Sequence, residues 1–151
     1  MRKGLSIEEL GDLLDRPFNA TLATYRRDGS VLLSPVWHEW RDGGFSIFTA
    51  ESDVKLRHIQ QQGQAAVVVS DNELPFRGIE VSGSPTIVRD AQFAHETFRR
   101  IANRYLGQQR ARVYMDTTGG EGMVVIRLVP GRLRTWDFAD DFALSGTLPE
   151  K

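Results

Sequence analysis

The residues best placed to do chemistry lie where a strand gives way to a helix, in Phe48-Thr49-Ala50-Glu51-Ser52-Asp53-Val54-Lys55-Leu56-Arg57. One hydroxyl ends the strand, another stands at the helix start, and two cations fall on the first turns. Free amides at a helix N-terminus, a partial positive dipole and a neighbouring ammonium are enough to hold an anion. Lys55 brings a compact charge, Arg57 a planar fork matched to phosphate oxygens, and Thr49 a hydroxyl donor. The same residues would also make an ordinary solvated helix start capped by Ser52 or Asp53.

Other chemistry finds no support. Ser82-Gly83-Ser84-Pro85 lacks the flanking glycines of a nucleophile elbow. No Lys-Ser/Thr pair follows Gly119-Gly120-Glu121-Gly122, so that stretch is not a P-loop. His95-Glu96 has no second histidine four residues on, and His38, His58 and His95 show no spacing suited to a metal. The absence of cysteine removes thiolate catalysis, disulfides and cysteine-held zinc or iron. No residue is set up as a nucleophile or shifted acid, so none is assigned as catalytic. That pattern suits a protein whose cofactor carries the reaction while side chains position it.

Elements must hold the junction in place. Ser6-Ile7-Glu8-Glu9 has the capping-box pattern and Ile7, Leu10, Leu13 and Leu14 share a face, predicting a helix over 6–16 that Pro17 stops. Strands are predicted over 18–25, 31–40 and 45–49, turned at Asp28-Gly29 and Asp42-Gly43-Gly44. The junction helix directs Leu56 and Ile59 inward, and two more strands are predicted over 65–70 and 79–88. Asp90 opens a longer helix with Phe93, Thr97, Phe98, Ile101 and Tyr105 on its inner stripe and Gly107 at its end. A shorter helix over 108–116, a loop at 119–122 and strands on either side of Pro130-Gly131 complete the chain, with a loose tail after Phe142.

Trp37 fits either a core or a pocket wall, and Trp136 either an interface anchor or a cleft wall. Tyr25, Tyr105 and Tyr114 read as packing residues. Arg99, Arg100, Arg104, Arg110 and Arg112 read as a solvated face or as a seat for a polyanionic tail. About six strands joined mainly by hairpins, with helices between them, predict a mainly β, α+β fold: a small antiparallel barrel or sandwich with peripheral helices. The 151 residues suit one domain over 1–151, with its core at about 18–138. With 19 Lys and Arg against 20 Asp and Glu, the net charge of -1 argues against a nucleic-acid partner. No apolar run is long enough for a membrane span and no signal-peptide core is evident, so a cytoplasmic location is expected.

Read in order, Leu22-Ala23-Thr24, Asp28-Gly29, Ser34-Pro35-Val36-Trp37, Phe48-Thr49 and Ser52-x-x-Lys55-x-Arg57 resemble the pyridoxamine 5′-phosphate oxidase-like superfamily of flavin and deazaflavin oxidoreductases. Phe76-Arg77-Gly78-Ile79-Glu80-Val81-Ser82-Gly83 and Pro130-Gly131-Arg132-Leu133-Arg134-Thr135-Trp136-Asp137 are similar to its later strands, so the resemblance runs from about Phe18 to Phe138. It implies a six-stranded split β-barrel working as a homodimer, with cofactor in two clefts at the subunit interface. Ser34, Pro35, Val36 and Trp37 would line the ring, and Ser52, Lys55 and Arg57, with Thr49 beside them, would hold the phosphate. Phe48 and Trp136 are further candidates, and Phe76, Arg77 and Gly78 would come from the partner subunit.

The pattern resembles the branch using the deazaflavin coenzyme F420 more than the FMN oxidases, because Val31-Leu32-Leu33-Ser34-Pro35 lacks their lysine before the ring. Asp53 stands where a cation is usual, and His38 where an aromatic is usual. The implied activity is hydride transfer between reduced F420 and a small unsaturated or quinone-like acceptor, with solvent, His38 or a tyrosine as proton donor. An FMN oxidase or flavin reductase, and a non-catalytic flavin, F420 or tetrapyrrole carrier, are the alternatives.

Overall fold

The computed structural model describes residues 1–118 and 122–143. Most of the loop expected at 119–122 and nearly all of the tail after Phe142 lie outside these residues. The described chain forms β1 (Arg2–Lys3), β2 (Ala20–Tyr25), β3 (Val31–Val36), β4 (Glu39–Arg41), β5 (Gly44–Ala50), α1 (Val54–Gln62), β6 (Ala65–Ser70), β7 (Gly78–Gly83), β8 (Thr86–Val88), α2 (Ala91–Leu106), α3 (Gln108–Thr118), β9 (Met123–Leu128), β10 (Arg132–Asp137) and α4 (Ala139–Ala143). All strand pairs are antiparallel. One sheet runs β1-β10-β7-β6-β2-β3 and the other β4-β5-β9-β8.

The described residues thus hold ten strands where about six were expected, because the chain changes sheets at its corners. The strand expected over 31–40 breaks at Trp37-His38, where the chain leaves β3 in the first sheet for β4 in the second. The strand expected over 79–88 breaks at Ser84-Pro85 for the same reason, and Pro130-Gly131 carries the chain back from β9 to β10.

Alternating residues fill the barrel. Leu22 on β2, Val67 and Val69 on β6, and Ile79 and Val81 on β7 meet Phe45 and Ile47 on β5 and Ile126 and Leu128 on β9. The helix expected over 6–16 is replaced by a short 3-10 turn at Glu8–Leu10. The capping box itself forms, with the Ser6 amide donating to Glu9 Oε2 at 2.7 Å and the Glu9 amide to Ser6 Oγ at 3.2 Å. Gly11 then turns to φ 63°, and Arg77 Nη1 donates to the Leu10 carbonyl at 2.9 Å, an acceptor that a continuing helix would use. The apolar face survives without the helix: Leu10, Leu13 and Leu14 are all buried.

Helix α1 packs on β2 and buries Leu56 and Ile59 in the barrel core, whereas α2 and α3 form a layer outside the second sheet. There Phe98, Ala102 and Ala111 pack with Phe48, Tyr114 and Met115, forming an apolar cluster separate from the barrel core. β5 therefore faces two ways, with Ile47 toward the barrel and Phe48 toward α2 and α3. No helix among the described residues is long and apolar enough to cross a membrane.

Candidate functional site

The break after β3 builds one wall of the site. His38 is fully buried, and its backbone amide donates to the Tyr105 hydroxyl at 3.2 Å. That hydroxyl donates in turn to the Phe18 carbonyl at 2.5 Å. The Tyr105 ring lies flat against Trp37, with centroids 4.9 Å apart and planes 9° apart. Tyr114 at 5.4 Å and Phe48 at 6.4 Å complete the aromatic surround of Trp37. Burial first, and the charge of Arg104 second, push the His38 imidazole down to about 3. His38 is therefore neutral at neutral pH and packs edge-on against Phe45. A role as proton donor to the cleft does not follow from that position.

In front of this wall lies an open cleft of about 380 Å³, lined by Asn19, Pro35, Val36, Trp37, Phe48, Thr49, Lys55 and Tyr114. Six of the residues singled out in the sequence thus come together from β3, the corner after it, β5 and α1. Ser34 lies one position before them on β3, half-buried and outside the lining. Asn19 and Tyr114 are additions. Tyr114 both packs on Trp37 and faces the cleft; its spacing from Ala111 on one face of α3 signals the packing role alone.

The polar end of the cleft is organised around Asp53, which caps α1 in place of Ser52. Asp53 Oδ1 accepts from the Lys55 amide at 2.9 Å. Its Oδ2 accepts from Lys55 Nζ at 2.7 Å and from the Thr49 hydroxyl at 3.1 Å. Burial would raise the Asp53 carboxyl, but these hydrogen bonds and the Lys55 charge outweigh it and hold the group below its ordinary value. Ser52 and Arg57 are exposed and do not line the cleft. Arg57 is two residues beyond Lys55, about 200° around the helix.

Phe76, Arg77, Gly78 and Trp136 gather elsewhere in the same chain, with β6 and β2 standing between β7 and β3. Arg77 Nη1 donates to Asp12 Oδ1 at 2.6 Å and its Nη2 to Asp71 Oδ2 at 2.9 Å, which joins β7 to the first turn of the chain. Gly78 lies opposite Trp136, and a Cβ on it would come within 2.1 Å of the indole. Phe76, at φ 57°, meets Phe142 edge-on at 5.8 Å. Within one chain Gly78 and Trp136 pair β7 with β10, Phe76 and Arg77 hold the loop before β7 to α4 and the first turn, and none of the four lines the cleft.

Two of the expected surface arginines also have inward partners. Arg100 Nε donates to Glu39 Oε1 at 2.7 Å, and Arg104 Nη1 to the Leu14 carbonyl at 3.3 Å. A larger cavity of about 510 Å³, lined by His95, Phe98, Arg99 and Arg112 among others, lies between α2 and α3. It shares none of the residues singled out at the junction, so the smaller cleft is the candidate site.

Two antiparallel sheets joined through corners, with an aromatic cleft where an edge strand leaves the first sheet, define a split barrel of the flavin-oxidoreductase type. The sequence matches the pyridoxamine 5′-phosphate oxidase family over residues 6–137, and the chain belongs to that family. A comparison with curated proteins finds no match. Among solved structures, the protein Rv2991 from Mycobacterium tuberculosis is 24% identical with a TM-score of 0.79, over 98% of this chain and 91% of that one. An F420 reductase is 27% identical with a TM-score of 0.65, over 81% of this chain and 93% of its own. HutZ, the heme storage protein from Vibrio cholerae, is 13% identical with a TM-score of 0.67, over 87% and 94% of the two chains.

Proposed function

We propose that the cleft binds a flavin-type ring, coenzyme F420 in the first place and FMN as the alternative, in an oxidoreductase acting on a small unsaturated or quinone-like acceptor. The observation that carries this reading is the meeting of an aromatic wall and a single lysine in one open cleft. Such a site offers a flat apolar seat with one polar anchor, and its volume lies within the range of about 300–1,000 Å³ usual for ligand pockets. The ring fits the residues present, since Trp37, Phe48 and Tyr114 give it faces and edges to pack on. The likeness to an F420 reductase supports the deazaflavin over FMN.

When bound, the ring supplies a hydride. The chain's own part is placement. Pro35 and Val36 keep the floor apolar, the Trp37–Tyr105 stack keeps the wall flat, and Lys55 anchors an anionic group at the polar end. Holding a donor and an acceptor about 3–3.5 Å apart is the main catalytic contribution such a site makes. The open side of the cleft is where we place a second copy of the chain, whose mass light scattering reports.

Fluorescence-quench titration with F420 and FMN side by side tests the reading, with Lys55→Ala as the diagnostic variant. For F420, loss of the ammonium weakens binding by about 1–3 kcal/mol when the contact is charge-assisted and partly buried. Unchanged affinity in that variant removes Lys55 from the site. Tight binding with no turnover of reduced F420 across enones and quinones makes the protein a carrier.

A further inference from the structure

We propose that Asp53 is a specificity residue that selects ring ligands by the charge of their tails, disfavouring a terminal phosphate monoester over an uncharged or singly charged group. This rests on the reading of the cleft as a flavin-type site. Two polar residues lining the cleft, Thr49 and Lys55, both donate to the Asp53 carboxylate, at 3.1 Å and 2.7 Å. The Lys55 amide at the start of α1 donates to it as well, at 2.9 Å. The donors that would hold a phosphate are thus already satisfied by an anion of the chain, and the Lys55–Asp53 pair has no net charge. Only 18% of the Lys55 side chain and 26% of the Asp53 side chain are exposed, so solvent screens the pair incompletely.

Asp53 cannot swing aside freely, because the oxygen that caps α1 belongs to the same carboxylate that holds Lys55. A terminal phosphate carries about −1.5 to −2 at pH 7 and would meet this carboxylate at close range. A phosphodiester carries one charge, and a bare ribityl chain none. Selection therefore works by like-charge repulsion against the wrong tail, with the ring contacts left common to all.

Riboflavin, riboflavin 4′,5′-cyclic phosphate and FMN share one ring and differ in tail charge. Their affinities are measured by flavin fluorescence quenching on the wild-type protein, Asp53→Asn and Asp53→Ser. Both replacements are good helix caps, so α1 keeps its start while Lys55 is released. Wild-type protein binds FMN no more tightly than riboflavin. In both variants the ratio of FMN to riboflavin affinity rises at least tenfold, with the cyclic phosphate between the two. Wild-type protein that already prefers FMN over riboflavin by tenfold overturns the inference, as does a ratio unchanged in both variants. Failure of every flavin and of F420 to bind any of the three proteins overturns the reading of the cleft, and this inference with it.

Discussion

Lowering the pH from 7 to 5 should destabilise this protein by about 2 kcal/mol through His38 alone. The imidazole has an ordinary value of 6.5 and is pushed down to about 3 in the folded chain. Unfolding exposes it to water, so between these values the unfolded chain binds a proton that the folded chain does not. Stability is therefore complete above the ordinary value and falls with pH through the window from 6.5 toward 3. At pH 5 the unfolded histidine lies one and a half units below its ordinary value, at about 1.4 kcal/mol per unit, which gives about 2 kcal/mol. Asp12, Asp53 and Asp71 are held below their ordinary value of 3.8, so their own losses come at lower pH.

The assay is urea unfolding at half-unit steps from pH 7.5 to 5, on wild-type protein and on His38→Gln. Glutamine retains the backbone amide that donates to Tyr105 and an oxygen that Arg104 can reach. Subtracting the variant's curve isolates the contribution of His38. A difference curve that is flat between pH 7 and 5, or a His38 that titrates above 5.5 by NMR in the folded state, refutes the reasoning. The effect should reach the cleft, since His38, Tyr105 and Trp37 form one connected support.

Two further outcomes test the strand junctions. Gly78→Ala should cost at least about 1–3 kcal/mol, since the added Cβ falls 2.1 Å from the Trp136 ring, and a shift in tryptophan fluorescence should accompany the lower urea midpoint. An unchanged midpoint would mean that the indole has room to move. Arg77→Met should cost about 3 kcal/mol, because among the described residues it leaves the Asp71 side chain, 2% exposed, with Arg16 at 3.5 Å as its remaining counter-charge. Arg77→Lys should recover part of this loss, and equal stability of the two variants would exclude charge pairing as the cause.

Much of the candidate site could be read from residue order. Pro35, Val36, Trp37, Phe48, Thr49 and Lys55 are separated by up to 20 positions in sequence yet line one cleft, because a hairpin and a strand-to-helix turn bring them together. What local pattern could not show is which way a side chain is drawn by a distant partner. Asp53 was legible as an alternative cap to Ser52, but not as the acceptor that occupies Lys55 and Thr49. Arg77 has the sequence of a ligand-facing residue, and its tie to Asp12 depends on a turn 65 positions away. Strand counts failed where apolar alternation runs straight through a corner, as at Trp37-His38, since periodicity carries no mark of the sheet to which a residue belongs.

Pro35 stands on β3, the outer strand of the six-stranded sheet, next to the cleft. Its nitrogen carries no hydrogen, so the row of donors along that rim has a gap. An extended segment from another polypeptide could not zip along the full length of this border, although Leu33, 63% exposed, would otherwise invite it. The same ring that gives the cleft an apolar floor thus also interrupts strand addition along this border.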